Sequence, residues 1–204
     1  MTEREGRFGP GDVTSAGPGC IIRTMDVRVE DAAVFAAAPF DRLVPARAGY
    51  QTAPILEAFN WSYVLEPIVS GRWYLIVFRS LRRPDVDNEM LTAYDDMAFA
   101  EAMRSGGLLR YYKGAMDRDR HCLSLCVWER RRQAQVATAL PDHQDAAQLT
   151  NRFYVSYDVE RYILRKRKGS SEPEVMTVGG YRHRPPDTAG APSAGGVTAD
   201  RAAI

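Results

Sequence analysis

One histidine, His143, has small neighbours at the helical spacing that would place them beside it. Ala146, Ala147 and Thr150 follow it by three, four and seven positions, so a flat ligand has room next to the imidazole. An imidazole titrates near neutral pH and can remove a proton from a phenol or an activated methylene. It can equally bind haem iron through a ring nitrogen, or pack near a helix start and hydrogen-bond to a neighbour such as Asp142. The sequence leaves these three roles open.

Aromatic side chains supply a second set of candidates, because rings line pockets for planar apolar ligands and also fill hydrophobic cores. Trp128 shares one face of a strand pattern with Ser124, which can orient a ligand oxygen if that face lines a pocket. No His or acid lies nearby in sequence to activate Ser124, so the pattern does not favour a hydrolase nucleophile. We expect substrate-binding side chains at the following positions: Trp128, Ser124, Tyr94, Tyr111 and Phe153.

Residue spacing argues against several other kinds of site. Asp95 and Asp96 are adjacent, and adjacent residues point about 100° apart on a helix, so this pair cannot converge on one metal ion. Cys122 and Cys126 would lie about 13 Å apart on one strand face, too far for a disulfide. No glycine-rich phosphate loop follows a strand, since Gly106-Gly107 terminates a helix. We therefore predict no metal site, unless His143 binds haem, and no bound cofactor.

The composition is that of an ordinary globular protein. Its 204 residues are 45% apolar, and the net charge of +1 argues against a nucleic-acid binder that relies on bulk attraction to phosphate. Three cysteines without a metal-like pair, and an N-terminus without an apolar segment, favour a cytoplasmic setting. No apolar run reaches the roughly 20 residues that span a bilayer. We expect a small-molecule substrate as the partner, and neither nucleic acid nor membrane.

Two clusters of basic residues lie near predicted strand ends. Arg79, Arg82 and Arg83 follow the first strand, where they can meet a carboxylate or phosphate at a pocket mouth. The run 165–168, Arg-Lys-Arg-Lys, can meet an anionic partner. Because charged runs are usually solvated and the whole chain is near neutral, we expect both clusters to face water.

The elements that must position these residues read strand, helix, strand, strand, helix, strand between Arg72 and Lys166. Trp73–Phe78 is apolar at every position, which predicts a strand buried on both faces. Asp85 or Asp87 can cap the first helix, which Gly106-Gly107 ends. Its core face is predicted to hold Met90, Leu91, Tyr94, Met97, Ala98 and Ala102. Its polar side or flanks are predicted to hold Glu89, Asp95, Asp96 and Glu101.

This order defines an α+β class, a ferredoxin-like split βαβ fold with an antiparallel four-stranded sheet and both helices on one face. The domain is predicted to span 71–168, between disordered tails at 1–19 and 169–204. An N-terminal extension, 20–70, is expected to pack on this domain because its aromatic residues are costly to leave in water. Within it, 20–29 can form a strand and 30–38 a short helix. We expect the extension to cover the pocket as a lid, or else to extend a dimer interface.

The arrangement resembles the dimeric α/β-barrel superfamily, and within it the antibiotic-biosynthesis-monooxygenase-like proteins. The resemblance covers roughly 72–166. It rests on the strands Trp73–Phe78, Leu123–Glu129 and Tyr157–Leu164, and on an Ala-rich helix leading to Pro141-Asp142-His143. It implies a homodimer whose sheets face each other, with one pocket per subunit between sheet and helices.

Members of this superfamily oxidise polycyclic phenols without metal or flavin, bind or degrade haem, catalyse cyclisations or isomerisations, or only bind small molecules. The resemblance favours a cofactor-independent monooxygenase or cyclase acting on an aromatic or polyketide-like substrate in natural-product metabolism, with His143 as general base. The first alternative is a haem-binding or haem-degrading protein with His143 as axial ligand. The second is a non-catalytic small-molecule-binding barrel.

Overall fold

The computed structural model describes residues 40–183, so the elements predicted at 20–29 and 30–38 lie outside the described residues. The strands are β1 (Gly71–Arg82), β2 (Leu108–Tyr112), β3 (His121–Trp128), β4 (Tyr154–Lys166) and β5 (Glu174–His183). The helices are α1 (Ile55–Ala58), α2 (Trp61–Leu65), α3 (Asn88–Ser105), α4 (Arg131–Thr138), α5 (Pro141–Gln148) and α6 (Thr150–Phe153). Over this range, no helix combines the length and apolar character that crossing a membrane requires.

All five strands form one antiparallel sheet in the order β2-β3-β1-β4-β5. Helix α3 connects β1 to β2, and helices α4, α5 and α6 connect β3 to β4. The first four strands therefore have the split βαβ topology of a ferredoxin-like fold. The fold class predicted from the sequence is confirmed.

Strand β5 corrects the prediction of a four-stranded sheet followed by a disordered tail from residue 169. The chain turns at 167–170, where Ser170 N–H donates to the Arg167 carbonyl at 3.1 Å and Gly169 has a φ of +79°. It then pairs with β4 from Glu174 to His183. The segment carries β-branched residues that suit a strand, but it is short and precedes a Gly-, Pro- and Ala-rich stretch. The composition averaged over 169–204 therefore resembles that of a disordered tail and does not reveal the strand.

Strand β1 is buried on both faces, as its uninterrupted apolar sequence predicts. Leu75 and Val77 are fully buried in a core that the sheet makes with residues 40–68. Tyr74 and Ile76 point the other way and pack in a second core, which includes alanines of α4. The strand therefore joins two hydrophobic cores on opposite sides of one sheet.

Residues 40–68 supply the cover for the sheet face that the resemblance assigns to a second subunit. The Phe40 ring meets the Trp73 ring edge-on at a centroid distance of 5.3 Å, and the Phe59 ring meets the Tyr112 ring at 5.0 Å. The Arg79 guanidinium adds hydrogen bonds of 2.7 Å and 2.8 Å to backbone carbonyls at residues 51 and 53. This face is therefore dry within a single chain, and the homodimer stays a prediction.

The same packing shows that the lid prediction is wrong for residues 40–68. None of them lines the cavity between the sheet and the helices. Trp61 is only 1% exposed, and its Nε1–H donates to the Ile55 carbonyl at 2.7 Å, so it is a core residue and not part of a wet rim. The extension packs on the opposite side of the sheet because its inward aromatic rings cover the apolar side chains of β1 and β3 there.

Helix α3 begins and ends as predicted, but its buried face differs. The Asp87 carboxylate accepts a hydrogen bond from Met90 N–H at 2.9 Å, and Gly106 ends the helix with a φ of +82°. Glu101 is buried at 8% exposure, whereas Met97 is 46% exposed. The buried face of α3 therefore includes a carboxylate that points toward the interior.

Candidate functional site

A cavity of about 200 Å³ lies between the sheet and helices α3, α5 and α6. It is bounded by side chains of β1, β3 and β4 that face away from the N-terminal extension. All the predicted site residues contribute to its wall: His143, Trp128, Ser124, Tyr94, Tyr111 and Phe153. The small residues predicted beside the imidazole, Ala146, Ala147 and Thr150, also line it. Six positions distant in sequence thus meet at one place, while their roles stay predictions.

The imidazole of His143 is held by a buried carboxylate on the neighbouring helix. Pro141 begins α5, so the backbone N–H of His143 lies in the first turn and has no partner within the helix. The Glu101 Oε2 atom accepts that N–H at 3.0 Å and lies 3.4 Å from the imidazole Nδ1. Glu101 therefore caps one helix from another and orients the histidine at the same time.

The hydrogen bonds at Glu101 determine its charge. Burial alone would raise the pKa of Glu101, but hydrogen bonds from the backbone N–H groups of His143 and Asp142 and from the imidazole outweigh burial. The pKa of this carboxyl therefore lies below its ordinary value. An ionised Glu101 favours a proton on Nδ1, which leaves Nε2 as the basic atom. Within residues 40–183, no group hydrogen-bonds to Nε2.

The lowered pKa predicts that Glu101 makes stability depend on pH in the acid range. The folded state binds the proton of this carboxyl less tightly than the unfolded state, so ionised Glu101 stabilises the fold at neutral pH. That contribution is lost as the pH falls through the folded-state pKa. We expect the free energy of unfolding in urea to fall more between neutral and acid pH for the parent than for Glu101→Gln. Parallel pH curves for the two proteins would contradict this.

The cavity-facing side of β3 carries the residues that the strand alternation predicts. Cys122, Ser124, Cys126 and Trp128 all line the cavity. Burial raises the pKa of the Cys126 thiol to about 12, so this group is a neutral wall and not a nucleophile. The Ser124 Oγ accepts a long hydrogen bond of 3.4 Å from Gly114 N–H. Among the described residues, the buried Nε1–H of Trp128 has no oxygen or nitrogen acceptor, though it interacts with the Cys126 thiol.

A charged and phenolic cluster closes another part of the wall. The Tyr111 hydroxyl donates to the Asp95 carboxylate at 2.5 Å, and the Lys113 ammonium lies 2.7 Å from the other carboxylate oxygen. The Tyr154 and Tyr157 rings contact each other at a centroid distance of 5.0 Å, with their planes tilted by 33°. Burial raises the pKa of Tyr154 to about 12 and that of Tyr157 well above its ordinary value. These phenols therefore stay protonated and can donate hydrogen bonds.

Sequence reasoning missed Glu101, Asp95 and Arg82 as parts of this site. Glu101 and Asp95 lie on the predicted polar side of α3, and only the contacts with His143 and Tyr111 explain why they face inward. Arg82 was grouped with Arg79 as a solvated strand end, yet it lines the cavity. Arg79 instead points to the opposite sheet face, as strand alternation requires for two residues that are three positions apart.

The cavity offers acids, a base and thiols, but they are not grouped as a metal site. Over residues 40–183, no three His, Cys, Asp or Glu side chains are close enough together to hold a metal ion. The acids are instead committed to other groups: Glu101 to His143, and Asp95 to Tyr111 and Lys113. What the arrangement offers chemically is an oriented imidazole beside neutral aromatic side chains, in a wall that also holds the charged side chains of Arg82, Asp95 and Lys113.

Comparison with known proteins gives a family without a stated activity. A family model described as PB2B2.08-like matches residues 22–177, more than half of the chain. The UPF0643 protein PB2B2.08 of Schizosaccharomyces pombe is 29% identical over 104 residues, which are 48% of this chain and 47% of that protein. The chain thus spans about half the length of this curated relative.

Solved structures with a similar arrangement share little sequence with the chain. SO0527 from Shewanella oneidensis is 18% identical at a TM-score of 0.41, covering 46% of this chain and 92% of that one. SnoaB, a cofactor-independent oxygenase from Streptomyces nogalater, is 14% identical at a TM-score of 0.37, covering 47% and 93%. The strand order described above, and not these scores, defines the fold.

Proposed function

This chain belongs to the PB2B2.08-like family, and we propose that its cavity binds an aromatic or polyketide-like molecule from which His143 removes a proton. The observation that carries the proposal is the contact between His143 Nδ1 and the Glu101 carboxylate at 3.4 Å, inside a cavity with aromatic walls. A carboxylate on Nδ1 fixes the tautomer and stabilises the imidazolium that forms when Nε2 takes a proton. Such contacts are often long in a ligand-free site and shorten when a substrate binds.

The substrate that suits this base has an acidic O–H or C–H next to an aromatic ring or a carbonyl. Removing that proton gives a phenolate or a carbanion whose charge spreads over the ring system. The guanidinium of Arg82, the indole Nε1–H of Trp128 and the Tyr154 hydroxyl are the donors we assign to this developing charge. A water-poor cavity strengthens each of these interactions.

The anion can then follow either of two courses without a cofactor. It can attack a carbonyl within the same molecule and close a ring. It can instead give its electrons to dioxygen, so that a methylene becomes a carbonyl with one oxygen atom in the product and the other in water. We propose the oxidative course, in natural-product metabolism, as the function, and cyclisation as its nearest variant.

The experiment that tests this function is incubation of the full chain with polycyclic phenols that carry an activated methylene, with and without dioxygen. A quinone-type product that needs dioxygen supports oxidation. A ring-closed isomer formed equally well without dioxygen supports cyclisation. If neither product exceeds the buffer control but the ligand binds, the protein is a non-catalytic small-molecule-binding barrel.

Haem binding through His143 is the second candidate, favoured by the free Nε2 atom. A porphyrin is larger than a cavity of about 200 Å³ unless the walls move, so the residues present fit a small ring system better. We expect titration of the full chain with haemin to give no Soret shift that depends on His143. A shift that appears in the parent and is lost in His143→Ala would establish the haem alternative and overturn the cofactor-free proposal.

We also propose a homodimer and a cytoplasmic location, both from the resemblance and the cysteine usage. Cys122 and Cys126 are free thiols, which suits a reducing compartment. Because residues 40–68 already cover one sheet face, a dimer must use another surface or extend the covered one. Light scattering on the purified chain measures its mass directly, and the mass of a monomer at micromolar concentration would contradict the proposed homodimer.

A further inference from the structure

A second, larger cleft lies at the other end of β1 and shares no lining residue with the cavity of His143. Its volume is about 1030 Å³. The start of β1, the end of β4, the start of β5 and the junction between β3 and α4 form its walls. Nothing in the function proposed above uses this cleft.

The cleft concentrates positive charge. Eight basic side chains line it against two acidic ones, although the whole chain carries a net charge of only +1. The basic residues are Arg72, Arg130, Arg131, Arg132, Arg165, Lys166, Arg167 and Lys168. The acidic residues are Glu129 and Glu174. The run 165–168, which the sequence presents as a solvated tail start, is here one wall of a concave surface.

Few of these charges are neutralised by the fold. Glu174 pairs with Arg167 at 2.9 Å, and Glu129 accepts a hydrogen bond from the Gln133 amide at 2.9 Å. Lys166 is buried and donates to the Leu65 carbonyl at 2.6 Å, which is a structural role. Within residues 40–183, four exposed arginines of the cleft make no side-chain hydrogen bond or ion pair: Arg72, Arg131, Arg132 and Arg165.

The sheet brings two of these arginines into an unfavourable pair. Arg72 on β1 lies directly opposite Arg165 on β4. Glu174 on β5 lies opposite Arg165 on its other side, but the Glu174 carboxylate pairs with Arg167. Side chains at directly opposed positions of an antiparallel pair share one face, and like charges there destabilise the sheet. Both arginines lie on the same sheet face as Tyr74 and Ile163, which is the face that the helices pack on. The side chains of the two arginines are nevertheless exposed to solvent.

The helix beside them adds a second unfavourable arrangement. Arg130 is the N-cap of α4, and Arg131 and Arg132 occupy its first turn, with no acidic residue in that turn and no side-chain cap. Positive charge at a helix N-terminus opposes the helix dipole. The sheet, through Arg72 and Arg165, and the first turn of α4, through Arg131 and Arg132, therefore bring cations to one cleft. An anion in the cleft would relieve both unfavourable arrangements.

We propose that this cleft binds a small ligand that carries two or more phosphate groups, held by Arg72 and Arg165 from the sheet and by Arg131 and Arg132 from α4. Planar guanidinium groups bind phosphate oxygens two at a time. A single phosphate can engage only part of a set that spans a sheet and a helix. The volume of the cleft is close to the upper limit of about 1,000 Å³ for small-molecule sites. A net charge of only +1 does not favour binding of long nucleic acids.

Calorimetric titration of the full chain with sodium tripolyphosphate in 0.15 M salt tests this proposal. We expect one site per chain, much weaker binding of inorganic phosphate, and weaker binding of a ten-nucleotide single-stranded DNA. Arg72→Gln and Arg165→Gln should each reduce the affinity for tripolyphosphate about tenfold or more. Arg118→Gln, which removes an exposed arginine outside the cleft, is the matched control and should leave it unchanged.

Thermal unfolding without ligand gives an independent readout. Because the like-charge pair is removed, Arg72→Gln should unfold no earlier than the parent. Both Arg72→Gln and Arg165→Gln should lose the ligand-induced rise in Tm. No binding of tripolyphosphate by the parent, or equal affinity in the parent and both variants, would overturn the proposal. Tighter binding of the oligonucleotide or of inorganic phosphate than of tripolyphosphate would overturn it as well.

Discussion

In the His143→Ala variant, turnover of a phenolic substrate should fall by about 10²- to 10⁴-fold, the range that a positioned general base contributes. The physical reason is that His143 is the only histidine among the described cavity residues, and a carboxylate orients its imidazole. The side chain is partly exposed to the cavity, so its loss should leave the fold intact. Initial rates at saturating substrate, with circular dichroism of each protein, measure the effect.

Two variants distinguish a base from a residue that only shapes the site. His121→Ala removes another partly exposed histidine that does not line the cavity, and it should retain the parent rate. Glu101→Gln keeps the shape of the orienting residue but not its charge, so kcat should fall less than in His143→Ala and its pH profile should move. If His143→Ala retains the parent rate, the imidazole is a wall residue.

In the Phe59→Ala variant, the free energy of unfolding should fall by about 3–5 kcal/mol. Phe59 is 2% exposed, and its ring contacts Tyr112 of β2 as well as Tyr50 and Trp61 of the extension. Removing it leaves a cavity in the core that holds residues 40–68 on the sheet. Because a domain is stable by only about 5–15 kcal/mol, this is a large fraction of the total. Denaturation in urea measures it.

Tyr63→Ala is the matched control, since Tyr63 lies in the same segment but is 57% exposed. Its stability should stay within about 0.5 kcal/mol of the parent. A mass measurement on each protein separates the two ways of covering the sheet. If Phe59→Ala is as stable as the parent, or if stability depends strongly on protein concentration, then a second copy and not residues 40–68 shelters this face.

The fold could be predicted from the sequence because the residues that specify its strands and helices act locally. The apolar run 73–78, the Asp87 cap and the glycines at 106 and 107 each act through neighbouring residues, and all appear as predicted. The sequence could not predict what covers the second sheet face, because several kinds of partner can bury the same apolar surface. The sequence predicted that the extension 20–70 packs on the domain, but it did not indicate on which face. An intramolecular cover keeps Leu75 and Val77 dry as well as a twin subunit would.

The cavity shows the same division between local and distant signals. Alternation along β3 was enough to put Ser124 and Trp128 on one face, and helical spacing was enough to put alanines beside His143. The partner of His143 lies 42 residues earlier, on a helix face that periodicity marks as polar. A contact between two helices depends on how they pack, and hydrophobic periodicity carries no information on which acid will meet which N–H group.

Exchange of substrate protons in heavy water, without dioxygen, is the most direct measurement of the central claim, because it isolates proton removal from whatever follows. A polycyclic phenol with an activated methylene is incubated with the full chain, and NMR follows the loss of the methylene signal. The structure predicts exchange faster than in buffer alone, abolished in His143→Ala and retained in His121→Ala. Exchange at the same rate in His143→Ala and in the parent would contradict it.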